Sequence, residues 1–173
     1  MRLKDKVAII TGGSRGIGYA TAKAFLKEGA KVILTASREK TAKQAEEKLK
    51  ALYPEGTVEG IYPDLGCFSC VKESFAQVAE KYGRIDIVVN NAGMSDSTPF
   101  TDYTEENFEK IMDLNVKGIF NSCKGAAEQM VKQGKGVVLN TSSMVSIYGQ
   151  PSGVGYPTSK FAVNGMTVAL YPI

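Results

Sequence analysis

The sequence predicts an α/β protein: a doubly wound parallel sheet with helices on both faces. Short β-branched runs alternate with longer segments of helical period along nearly the whole chain. A glycine-rich turn directly follows the first apolar run. The length of 173 residues and the 43% hydrophobic content suit one domain with a sizeable core.

The elements follow in order. Val7–Thr11 is a compact apolar run and reads as the first strand, and the pattern from Gly16 to Glu28 reads as the helix that returns from it. Lys31–Thr35 is the second strand. The charged, helix-favouring stretch Glu39–Leu52 is the second helix. Thr57–Tyr62 and Ile85–Val89 supply the third and fourth strands, on either side of a helix over Ser69–Tyr82. A long amphipathic pattern predicts one continuous helix over Thr104–Lys132, followed by a fifth strand at Val137–Thr141 and a helix at Pro157–Leu170. Consecutive parallel strands need right-handed crossovers, and ligands in such sheets bind beyond the strand carboxyl ends. The chain has no internal repeat, low-complexity tract or linker, so residues 1–173 are read as a single dinucleotide-binding domain.

Composition excludes several classes of function. The net charge of +3 comes from residues such as Lys40, Lys43, Lys48 and Lys50 spread along helices, not from a clustered basic stripe. Nucleic acid is therefore not an expected partner. No apolar run approaches the ~18 residues of a membrane helix or resembles a signal-peptide core, which predicts a soluble, cytoplasmic protein with no membrane partner. The three cysteines form an odd set, better suited to a reducing compartment than to a disulfide framework. Cys67-Phe-Ser-Cys70 has no second pair and the chain has no histidine, so a metal site is not expected and the two read as ordinary thiols at a helix start. Without histidine, proton transfer falls to Tyr, Lys, Asp or Glu.

Thr11-Gly12-Gly13-Ser14-Arg15-Gly16-Ile17-Gly18 lies between a strand and a helix, the setting of a dinucleotide-binding turn in a Rossmann-type fold. Glycine permits positive φ and lets backbone amides approach a pyrophosphate, whose charge then sits at a helix N-terminus. Gly18 would let the helix pack close to the strand. An acidic residue ending the second strand would bind the ribose hydroxyls of NAD, but the chain has Ser37 and Arg38 there. Arg38 can fork onto a 2′-phosphate, Ser37 leaves room for it and Arg15 lies on the same side, so NADP(H) is favoured over NAD(H). Asp64 is read either as an acceptor for the adenine amino group or as a helix N-cap.

Tyr156-Pro-Thr-Ser-Lys160 places two side chains on one helical face if a helix starts near Tyr156, which Pro157 favours. Acting at neutral pH requires lowering a tyrosine pKa from about 10 by about three units, or about 4 kcal/mol. The Lys160 ammonium is the available means. Ser143, at the end of the fifth strand, can hold a substrate oxygen. A Tyr-x-x-x-Lys spacing alone is common on helix surfaces.

Taken together, Thr11-Gly-x-x-x-Gly16-x-Gly18, Asn90-Asn-Ala-Gly93, Asn115, Ser143 and Tyr156-x-x-x-Lys160 resemble the short-chain dehydrogenase/reductases, in order and spacing, from Lys6 to about Leu170. The resemblance implies a catalytic set of Asn115, Ser143, Tyr156 and Lys160. Asn115 would distort its helix and free a carbonyl for a water linked to Lys160, although an exposed polar residue would look the same in sequence. Asn90 would tie the central strands. Asn91, Ala92 and Gly93 would line the adenosine ribose, and Gly12, Ser14, Arg15, Gly16, Ile17, Gly18, Ser37, Arg38, Asp64, Leu65, Tyr156 and Lys160 complete the implied cofactor site.

Leu52-Tyr-Pro-Glu55, Pro63-Asp-Leu65 and Ser152-Gly-Val-Gly-Tyr-Pro157 look most like the family's bacterial 3α-hydroxysteroid dehydrogenases. The implied reaction is hydride transfer between NADP(H) and a small-molecule secondary alcohol or ketone. The alternatives are a 3-oxoacyl thioester reductase or a non-catalytic dinucleotide-binding protein. The family continues well past Ile173, so the sequence reads as C-terminally truncated, lacking the last strands and leaving the fifth as an uncovered edge. The resemblance also implies self-association of a full-length form, as a dimer or tetramer, through Thr104–Lys132 and the helix after Tyr156. Phe108, Ile111, Met112, Ile119 and Phe120 exceed a one-face stripe, which is consistent with part of that helix facing a partner subunit.

Overall fold

The computed structural model describes residues 1–170. Five strands, β1 (Val7–Ile10), β2 (Lys31–Thr35), β3 (Val58–Ile61), β4 (Ile87–Asn90) and β5 (Val137–Asn140), form one parallel sheet in the order β3-β2-β1-β4-β5. Register runs Ile9 to Ile33 on one side and Ile9 to Val88 on the other. The helices are α1 (Gly16–Lys27), α2 (Glu39–Leu52), α3 (Phe68–Tyr82), α4 (Glu105–Met112), α5 (Gly118–Gln133), α6 (Val145–Tyr148) and α7 (Gly155–Ala169).

Alternation along β1 explains the layering. Val7 and Ile9 point to a core shared with Val71, Phe75 and Val78 of α3 and Ala126 and Met130 of α5. Ile10 points the other way, against Ala22 and Leu26 of α1 and Ala45 and Leu49 of α2. Covering both faces is why β1 and β2 read as continuous apolar runs. The edge strand β5 leaves Val137 and Leu139 about half exposed. Ile119, Cys123 and Val163 join α5 to α7 in a third cluster.

Three sequence expectations need correction. The continuous helix expected over Thr104–Lys132 is broken: Thr104 caps α4, and a π-helical segment, Asp113–Lys117, separates α4 from α5. Such an inserted residue re-aims side chains, here Asn115, which is fully buried and not an exposed polar residue. Cys67 and Cys70 are not separate thiols but are joined by a disulfide. Their Cα atoms stand 5.4 Å apart across the first turn of α3, within bridging range. Cys67, not Asp64, caps that helix, its Sγ accepting the Cys70 N–H. The 3₁₀ turn Phe100–Asp102 and the short α6 had no periodic signal in the sequence.

The amino ends of three strands converge on Asp86. Its carboxylate accepts the Val7 N–H at 3.0 Å and pairs with Arg84 and Lys6, while its carbonyl accepts the Val137 N–H. Burial pushes its pKa up, but the Val7 N–H and the two cations more than offset this and hold it below its ordinary 3.8. Its stabilising contribution is therefore full above that ordinary value and lost as pH falls through the lowered one. Asp86→Asn should cost about 2 kcal/mol in urea denaturation at neutral pH. The gap to the parent should shrink below the ordinary carboxylate value, and equal midpoints at neutral pH would remove Asp86 from this role.

Candidate functional site

The carboxyl ends of β1, β2 and β4 open onto a groove of about 790 Å³. Gly12, Ser14, Arg15, Gly16 and Ile17 form one wall, Ser37 sits at the end of β2, and Asp64, Leu65, Asn91, Ala92 and Gly93 line the rest. Gly18, Arg38, Tyr156 and Lys160 do not line it. Gly18 lies beneath, and a Cβ there would meet the Gly12 carbonyl oxygen at 2.4 Å, which is the close helix–strand approach that the turn requires. Arg38 is exposed at the start of α2.

The turn is held from two sides. Gly12 adopts φ +63°, its N–H donating to Thr35 Oγ1, and the Gly13 N–H donates to the Thr35 carbonyl. Thr11 Oγ1 accepts the Asn91 and Ala92 N–H groups, both at 3.0 Å, and the Asn91 amide returns bonds to the Thr11 and Gly12 carbonyls. Arg15, the N-cap of α1, offers no side-chain hydrogen bond to the helix start. The first-turn amides of α1 thus keep their donors for a ligand, and a dinucleotide pyrophosphate fits that arrangement. Arg15 makes no ion pair among the described residues and faces the groove.

The second half of the site is built on α7 and the end of β5. Lys160 is 3% exposed, its Nζ donating to the Thr141 carbonyl at 2.8 Å and lying 5.7 Å from the centre of the Tyr156 ring. Burial lowers its pKa. Ser143 Oγ accepts the Val145 N–H, and its own O–H has no protein acceptor among the described residues. Its carbonyl holds Ser146. No hydrogen bond joins Ser143 to Tyr156 among the described residues.

Asn115 links the two halves. Its Nδ2 donates to the Met94 carbonyl at 2.8 Å and to Ser159 Oγ at 3.0 Å, and its Oδ1 accepts the Met94 N–H at 2.8 Å. Asn90 donates to Asn140 Oδ1 and to Cys123 Sγ, tying β4 to β5.

Several contributors have no sequence signature. Thr35, Tyr62, Lys110 and Lys117 also line the groove, the two lysines paired with Glu106 and Asp113. The Tyr103 hydroxyl donates to Asp96 Oδ2 at 2.6 Å, and burial together with that carboxylate raises its pKa. It rests against Gly155, fixing the loop after β4 beside Tyr156. Only spatial proximity marks these residues. Among the described residues no cluster of three or more potential metal ligands exists, and no helix is long and apolar enough to cross a membrane.

Known proteins share this architecture. The family profile described as short chain dehydrogenase matches residues 6–171. A 3α-hydroxysteroid dehydrogenase of Mediterraneibacter gnavus is 57% identical over 98% of this chain and 68% of its own length. A 3-oxoacyl-[acyl-carrier-protein] reductase of Thermotoga maritima is 38% identical over 96% of this chain and 67% of its own. The crystal structure of an NAD⁺-bound xylitol dehydrogenase superposes with a TM-score of 0.92 at 29% identity, over 98% of this chain and 65% of that one. The chain thus spans about two thirds of the length of these relatives.

Gly18→Ala tests the close approach beneath the groove. The added methyl group should cost about 1–3 kcal/mol through displacement of the turn. The turn amides should also lose hydrogen-exchange protection, and unchanged stability and exchange would show that the contact tolerates a side chain.

Proposed function

The chain belongs to the short-chain dehydrogenase family, and from that membership we propose that it transfers a hydride between NADP(H) and a secondary alcohol or ketone of a hydroxysteroid. The observation that carries the reading is the buried Lys160 ammonium beside the Tyr156 ring at the carboxyl edge of the sheet. The likeness to the M. gnavus hydroxysteroid dehydrogenase, stronger than that to the acyl-carrier-protein reductase, supports the steroid class over a 3-oxoacyl thioester.

In this reading the nicotinamide, when bound, accepts or donates the hydride. The chain's own residues handle the proton. The Tyr156 phenolate takes the proton of the alcohol, and in the reverse direction the phenol gives its proton to the ketone oxygen. Lys160, fixed by Thr141, stabilises the phenolate while its two remaining N–H donors stay free for the cofactor or solvent. The Ser143 O–H is free to donate to the substrate oxygen. Asn115 holds the loop after β4 and α7 in register, and its π-helical setting suits the freed carbonyl of a proton relay.

The groove favours NADP(H) on two counts. Ser37 stands where a carboxylate would repel a 2′-phosphate, and the Arg15 guanidinium faces the same groove. Arg38, exposed beside Ser37, would close over the phosphate. The protein is further read as one dinucleotide-binding unit that acts in the cytoplasm and self-associates through α5 and α7, where Phe120 and Phe161 are half exposed.

Nicotinamide absorbance measures turnover directly. Tyr156→Phe and Lys160→Met should each lower kcat by about a hundredfold or more, with NADPH affinity in Tyr156→Phe nearly unchanged. A protein that binds NADPH yet leaves hydroxysteroids, simple ketones and β-ketoacyl thioesters unreacted would end the enzymatic reading. Because burial lowers the Lys160 pKa, the ammonium is lost below the ordinary lysine value of 10.5. The alkaline limb of kcat should fall there, and Lys160→Met should abolish that limb. Arg15→Ala should weaken NADPH about tenfold by titration while sparing NADH, and equal losses would refute the phosphate role.

A further inference from the structure

Cys67 and Cys70 close the first turn of α3 at the rim of the groove. Both are partly exposed, and the structure joins them as a disulfide. Cys67 is the N-cap, with the Cys70 N–H donating to its Sγ and the Ser69 hydroxyl 3.3 Å from that sulfur. Lys124 places its ammonium 4.5 Å from the ring of Phe68, between the two cysteines. Backbone donors at a helix start, here the Cys70 N–H on Cys67 Sγ, favour a thiolate at Cys67 once the bond is opened. Cys123 offers a contrast: it is buried against Asn90 and Asn140, and burial raises its pKa.

This turn is continuous with a wall of the groove. The Cys67 N–H donates to the Asp64 carbonyl, and Asp64 Oδ1 accepts the Gly66 N–H at 2.9 Å. The Asn121 amide pins the Leu65 carbonyl at 2.8 Å. Asp64, Leu65 and Gly66 all line the groove.

We propose that Cys67 and Cys70 are a reversible dithiol–disulfide site whose oxidation tightens dinucleotide binding, an inference that rests on reading the groove as a dinucleotide site. Oxidation proceeds by exchange with a small-molecule disulfide. The Cys67 thiolate attacks one sulfur and expels a thiolate. Cys70, after losing its proton to solvent, then attacks Cys67 Sγ in the mixed disulfide and expels the second. The two cysteines lose two electrons together, and the small disulfide leaves as two thiols that take up the two protons. The closed bond removes freedom from the Asp64–Cys67 turn before the ligand arrives, and it removes a thiolate charge from the neighbourhood of an anionic ligand. Both effects favour the oxidised form.

Glutathione disulfide and reduced dithiothreitol set the two states of the purified protein. Alkylation after denaturation should trap all three cysteines in the reduced form and Cys123 alone in the oxidised form, with an intact mass lower by two hydrogens. NADPH titration should give a Kd about fivefold lower for the oxidised protein. A Cys67→Ser/Cys70→Ser variant, which lacks both the bond and the thiolate, should bind NADPH more weakly than the oxidised protein and no more weakly than the reduced one, and its Kd should ignore glutathione disulfide. Three trapped cysteines after oxidant treatment would overturn the site, and equal Kd values in the two states would overturn its coupling to the groove. Failure of both states to bind any dinucleotide would instead defeat the functional reading, and the coupling with it, while the alkylation count still decides the redox site.

Discussion

A buried primary amide must satisfy two N–H donors and a carbonyl without water, and Asn115 does so by gripping Met94 at both its N–H and its carbonyl and by donating to Ser159. Those three bonds join the loop leaving β4, the π-helical segment and α7. The loop carries the groove-lining residues Asn91–Gly93, and α7 carries Tyr156 and Lys160, so one side chain sets the distance between the two halves of the site. A regular helix through Asp113–Lys117 would turn that amide elsewhere. The π-helical departure is thus the local cost of a contact that spans three elements.

The glycine turn follows the same logic on a smaller scale. Its backbone must stay open to a ligand, so it cannot be held by packing on the ligand side. It is held from behind, by Thr11 Oγ1 accepting two amides from the β4 loop and by the Asn91 amide returning to two carbonyls of the turn. Polar residues at the ends of β1 and β4 therefore do structural duty that leaves the amides at the start of α1 uncommitted.

The layered α/β fold was legible because its signals are local. β2 and α2 coincide with the segments read from periodicity, and the other strands differ by a residue or two at their ends. The glycine turn was legible for the same reason, since close backbone approach leaves glycine as the fitting residue at Gly18. What escaped depends on specific contacts, near or far in sequence, that periodicity does not encode. The break at Asn115 is set by Met94 and Ser159, the Tyr103–Asp96 pair by the fold of one loop, and the Cys67–Cys70 bond by a cap geometry that spacing alone does not reveal. Arg38 is a different case: its place in the sequence suggested a groove residue, and the structure leaves it exposed at the start of α2 beside Ser37.

Lys160 gives the clearest argument from energetics to chemistry. An ammonium buried to 3% exposure, held by a single carbonyl and with no carboxylate paired to it among the described residues, is unfavourable to folding, and its lowered pKa records that penalty. A methionine or leucine would fill the same space without it. Retaining a cation there makes sense only if something beside it becomes more negative, and the group in place is the Tyr156 ring 5.7 Å away. Burial also removes the water that would screen the charge, so in the proposed reaction the dielectric environment that makes Lys160 costly would strengthen its hold on a neighbouring anion. Under the proposed function the penalty and the chemistry have one physical origin, and a substitution that relieved the first would be expected to stabilise the fold while abolishing the second.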